Sequence, residues 1–189
     1  MQAIKAMPPP TDKPGVMRLL GMATYLAKFV PNFSEVTSKL RELQRTDTEF
    51  RWDDSIDGKA FRELKEMFTI SPVLRLNDVT KPVVVQCDAS STGLSAIILQ
   101  NGRTVEFASR AMTPTEINFY AQIENQMLAI VFAMTRFHAY VYGKHDVTVH
   151  SDHKPLMAIV KKPLTAAPTR LQDFKDTSSP WNIYQIARC

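Results

Sequence analysis

The sequence predicts an α/β fold, a mixed sheet with a crossover helix preceded by a small helical region, and three observations carry it. From Lys81 onward, "PVVVQCDAS", "GLSAIILQ" and "RTVEFASRAM" are short runs rich in strand-forming residues. Asn101-Gly102, a strong two-residue hairpin signal, separates the last two. A long stretch with helical apolar spacing follows, containing "YAQIENQMLAIVFAM", and "DVTVHSD" then reads as one more strand. In the order strand, strand, strand, helix, strand, the fourth strand can pair in parallel with the first through the helix.

The remaining elements follow from punctuation and period. The prolines of "PPPTDKPG" delay any helix until they are passed, and Thr11 or Asp12 is then placed to cap one opening near Pro14. Met17, Leu20, Met22, Ala23, Leu26, Phe29 and Val30 recur at helical steps until Pro31 stops them. Ser34 is expected to cap a second helix ending near Gln44. A polar connection around Trp52, read as a hydrophobic plug, leads to a third helix over about residues 55–69, closed by Pro72. After Thr113-Pro114-Thr115 the long helix is expected to run to about Tyr142, where Gly143 ends it. A further helix through "HKPLMAIV" follows the fourth strand, and residues 173–189 have no clean period and are left unassigned.

Composition narrows the function classes. With 189 residues and 44% apolar content the chain can bury a substantial core, which excludes disorder throughout. The net charge of +4 and pI of about 9.1 allow a polyanion partner without requiring one. The basic excess lies in residues 81–189, which also hold all four histidines. Cys87 and Cys189 offer neither a disulfide framework nor a metal-ligand spacing, so a reduced, intracellular setting is expected, with nucleus or cytoplasm left open. No apolar run approaches a membrane span, and the expectation is a soluble chain without a membrane partner.

Two aspartates stand where strands end. Asp88 closes the first strand and Asp152 the fourth, so parallel pairing of those strands brings both carboxylates to one edge of the sheet. Like charges held together need a cation or a raised pKa, and aspartate oxygens completed by water suit Mg²⁺ or Mn²⁺. A paired-cation centre of that kind supports attack of water on a phosphodiester. Either aspartate alone also reads as a turn former or helix cap; only their joint placement favours a metal site. His153 reads as a first-turn residue able to shuttle protons, and Cys87, on the opposite pleat from Asp88, as core.

The blocks "PPPTDKPGVMRLLGMATYLAKFVPNFSEVTSKL", "FRWDDSIDGKAFRELKEMF", "CDASSTGLSAIILQ", "FASRAMTPTEINFYAQIE", "LAIVFAMTRFHAYVYGK" and "SDHKPL", in this order, resemble the polyprotein of Ty3/gypsy-type retrotransposons. The resemblance runs from the helices after the polymerase palm into the ribonuclease H domain. It implies a helical thumb and connection region over 1–80, a truncated ribonuclease H-like domain over 81–172, and Mg²⁺-dependent cutting of RNA in an RNA/DNA hybrid. Asp88 and Asp152 match two of the family's acidic positions and are the implied metal ligands. The family's metal-binding glutamate in "IEKELLAIVF" falls here on Gln126, within "IENQMLAIVF", while Glu124 matches a non-catalytic glutamate.

Two residues along a helix are a rotation of about 200°, so Glu124 cannot stand in for Gln126. An amide brings no charge to a cation, and the resemblance therefore implies a weakened or inactive nuclease. The tail matches nothing in the family, and a missing edge strand would leave one side of the sheet open. Two other readings stay open. One is a non-catalytic nucleic-acid-binding module using basic residues such as Arg110, Lys144, Lys154 and Arg170. The other is an interaction fragment whose helices pack on the polymerase part of a retroelement polyprotein.

Overall fold

The computed structural model describes residues 6–47, 49–70, 74–144, 147–151 and 185–187. Helix α1, Lys13–Tyr25, opens on Asp12, whose carboxylate accepts the Gly15 N–H at 2.7 Å, with Pro14 in the first turn. A 3₁₀ turn over Ala27–Phe29 follows. The expected second helix is two short ones, α2 (Phe33–Val36) and α3 (Ser38–Glu42). Asn32, not Ser34, precedes α2, in a left-handed conformation with φ of 48°. Ser34 lies inside α2, and its N–H donates to the Ser109 hydroxyl at 2.9 Å, joining the helical region to the sheet. Helix α4, Asp57–Ile70, completes this part.

Among the described residues the sheet has five strands, in the order β3-β2-β1-β4-β5. Strands β1 (Val83–Ala89), β2 (Gly93–Gln100) and β3 (Arg103–Ala111) form an antiparallel meander. Asn101 and Gly102 turn between β2 and β3 with φ of 52° and 70°, the doubly positive pair that a tight primed turn requires. Strand β4, Val147–His150, lies parallel to β1, with Val83 opposite Val147 and Gln86 opposite His150. Strand β5, Gln185–Ala187, lies parallel to β4 on its other side. The tail, left unassigned and expected to leave that edge open, therefore supplies the edge strand.

The long helix is also divided. Helix α5 (Pro114–Phe119) ends at Tyr120 and α6 (Gln122–Arg136) starts after Ala121, both residues being extended. Each start has its own reach-back: the Glu116 carboxylate accepts the Thr113 N–H, and that of Glu124 accepts the Ala121 N–H at 2.8 Å. Phe137 then separates α6 from α7 (His138–Val141).

Two apolar clusters result. Val16, Leu20, Phe33, Leu40, Phe61 and Leu64 form one, with Trp52 packed against it and edge-on to Phe61. The other is the sheet's inner face, Val83, Val85, Cys87, Ile98, Val147 and Val149, under the α6–α7 stripe Met127, Ile130, Met134, Phe137 and Val141. The stripe's three- and four-residue steps put one helix face on the strands.

Phe137 is fully buried at the α6–α7 junction. Phe137→Ala is expected to cost about 3–5 kcal/mol of unfolding free energy, read from the urea midpoint at unchanged m-value.

Candidate active site

Strand β1 alternates, so Val83, Val85, Cys87 and Ala89 face the core while Asp88 is exposed on the other pleat, next to the strand's last residue. Helix α6 passes this strand end with its first turns. Gln126, 4% exposed, donates its Nε2–H to Asp88 Oδ1 at 2.9 Å and reaches the Ala89 carbonyl at 3.4 Å. Both neighbours are acceptors, which sets the amide with its nitrogen toward the aspartate. On its other side Oε1 receives the Ser151 hydroxyl at 3.5 Å, from the residue that follows β4.

Gln126 shares the sheet-facing side of α6 with the fully buried Ile130 and the partly buried Ile123. Glu124 is turned away from that site and caps its own helix. Asp152 and His153, with Lys154 and Arg170, lie outside the described residues.

A cavity of about 60 Å³ opens beside Asp88, lined by Asn32, Ser34, Glu35, Ser90, Gly93 and Ser95. Gly93 permits the close approach: a Cβ there would stand 3.3 Å from the Arg110 carbonyl and 3.5 Å from Ser34 Oγ. Sequence reasoning did not bring Glu35 or Ser151 to this place. Glu35 arrives by packing between distant segments, which has no local signal; Ser151, next to Asp152, could have been found by extending the strand-end argument by one residue.

Among the described residues, Asp88 and Glu35 are the acidic side chains at this cavity. No group of three or more His, Cys, Asp or Glu suited to a metal occurs among the described residues. Gln126 turns an N–H, not an oxygen, toward the Asp88 carboxylate.

The Arg110 guanidinium holds Glu116 through two hydrogen bonds of 2.7 and 2.9 Å and lies over the Phe132 ring. The Arg110 hydrogen bond is the main cause that holds the Glu116 carboxyl down at about 2, against the opposing effect of burial. Lys144 likewise donates to the Val79 and Lys81 carbonyls.

Three antiparallel strands, a crossover helix, a parallel fourth strand and an aspartate at the end of the first define the class as ribonuclease H-like. Residues 78–177 match the RNase H-like domain found in reverse transcriptase, and the chain belongs to that family. It is similar to the retrovirus-related Pol polyproteins of the Drosophila melanogaster transposons 297 and opus. Each is 33% identical over 82% of this chain, and the chain spans 14% and 17% of their lengths. Among solved structures, the foamy viral protease-reverse transcriptase in complex with RNA/DNA hybrid matches all of this chain and 26% of its own, with a TM-score of 0.82 at 21% identity. No helix among the described residues is long and apolar enough to cross a membrane.

The Glu116 pair has a pH signature. Its folded pKa lies below the ordinary 4.5, so the pair's stabilisation is present above that value and is lost as pH falls toward about 2. After screening it amounts to about 1–2 kcal/mol. Glu116→Gln is expected to lower stability by that amount at neutral pH and to flatten the acid limb of a stability-versus-pH curve.

Proposed function

We propose that this chain is the ribonuclease H-like region of a retroelement reverse transcriptase that engages an RNA/DNA hybrid, and that its divalent-metal-dependent cutting of the RNA strand is strongly impaired. Residues 1–80 are read as the thumb and connection region and 81–172 as the ribonuclease H-like domain. The Pol polyprotein relatives and the two separate apolar clusters support this reading. The family's activity also rests on Asp152 in this proposal. The observation that carries the impairment is the Gln126 N–H facing Asp88. An amide nitrogen there offers no lone pair to a cation and no negative charge, so this side chain holds the aspartate where the family's glutamate would bind metal.

Likeness in fold to a foamy viral reverse transcriptase in complex with RNA/DNA hybrid supports the nucleic-acid partner. Hybrid binding is proposed for Lys154 and Arg170, both outside the described residues, together with Arg110. For the helical region the polymerase part of a polyprotein is the proposed partner. An apolar cavity of about 330 Å³ between α1 and α4, rimmed by the exposed Met22 and Tyr25, supports that contact.

Cleavage of a labelled RNA/DNA hybrid under Mg²⁺ or Mn²⁺ titration tests the proposal. Gln126→Glu is expected to raise the rate by on the order of 10²-fold over the unmodified chain, a gain that Asp88→Asn abolishes. Equal rates for Gln126→Glu and the unmodified chain would contradict the assigned cause.

A further inference from the structure

We infer that the Gln126 amide replaces a cation as the group that stabilises Asp88, and that the stability of this fold is consequently independent of divalent ions. The inference rests on the geometry at Asp88 and holds whether or not a hybrid is cut.

Gln126 is buried, and its side chain spans three elements: Asp88 and the Ala89 carbonyl at the end of β1, its own helix α6, and Ser151 after β4. The short contact is the N–H on Asp88 at 2.9 Å, with the Ala89 carbonyl at 3.4 Å and the Ser151 hydroxyl at 3.5 Å at longer range. Asp88 is exposed, and the hydrogen bond from the buried amide holds Oδ1 in place without bringing in a second charge. A carboxylate placed at 126 reverses this. It would set one negative group against another where an N–H now stands 2.9 Å away, and against the Ala89 carbonyl as well. Such a pair needs a cation or a proton between its members. A cation that binds the folded form alone then raises its stability by mass action. The present amide removes both the need for the ion and the gain from it.

Thermal unfolding of the full chain is the test, followed by circular dichroism in chelator and in Mg²⁺ at matched ionic strength. The unmodified protein is expected to melt at the same temperature in both. Gln126→Glu is expected to melt roughly 5 °C lower in chelator and to recover with Mg²⁺. Asp88→Asn combined with Gln126→Glu exchanges donor and acceptor, and is expected to regain at least half of the loss without Mg²⁺.

A midpoint of the unmodified chain that climbs with Mg²⁺ as steeply as that of Gln126→Glu overturns the inference. So does a Gln126→Glu protein as stable as the unmodified one in chelator. Should Gln126→Glu fail to fold at all, the double variant decides: a folded double variant supports the inference, and an unfolded one refutes it. Hybrid cleavage by the unmodified chain at the rate of Gln126→Glu counts against the proposed impairment, whereas a divalent-dependent midpoint counts against the present inference.

Discussion

Parallel pairing of β1 with β4 is the constraint on which the rest of the domain depends. Two parallel strands cannot be joined by a tight turn, so the chain between them must cross a face of the sheet. In this protein the crossing is made by α6, whose buried stripe lies on the inward residues of β1 and β2. That packing sets the helix's position and rotation, and with them which side chain arrives at the end of β1. Gln126 meets Asp88 because Ile130 and Met134, one and two turns further on, are buried in the same core. The polar contact is thus a consequence of apolar packing, and nothing in the first turns of α6 could be re-registered without disturbing that core.

The parts of this arrangement that were legible in the sequence are those encoded locally. The three-strand meander could be read from β-branched runs and an Asn-Gly pair, and the inward Cys87 and outward Asp88 from strand alternation. The opposed directions of Glu124 and Gln126 needed only the helical period, and both side chains lie as that period requires. The divisions of the long helix were hidden for a related reason. Tyr120 and Ala121 are neither glycine nor proline, and the apolar spacing continues across them, so the period alone has no break to report. The signal present was chemical: two glutamates, Glu116 and Glu124, each three residues beyond a helix cap.

Contacts between remote segments left less trace. Three residues of β5 are too few to show alternation, and their pairing is decided by the free edge of β4. Ser34 looked like a cap because Ser commonly is one, but its backbone is used inside α2 and its N–H binds Ser109, far along the chain. The same long-range packing brings Glu35 to the cavity beside Asp88. Charge read from composition says nothing of the partners a cation already has. Arg110 and Lys144 count as surface cations by composition, yet each is held by oxygens of the protein itself: the Glu116 carboxylate for Arg110, and backbone carbonyls for Lys144.

Glutamine and glutamate have nearly the same shape, which is why the packing around position 126 says little about which of them belongs there. What differs is polarity at one atom. A carboxylate oxygen facing Asp88 repels it until an ion intervenes, whereas an amide nitrogen in the same place attracts it directly. Beside the aspartate stands the acceptor carbonyl of Ala89, at 3.4 Å from the amide nitrogen, and on the far side the Ser151 hydroxyl, at 3.5 Å from the amide oxygen. These neighbours complement an amide oriented with its nitrogen toward β1. The backbone frame of the site is that of a ribonuclease H-like fold, and among its described residues the Gln126 amide is what meets Asp88.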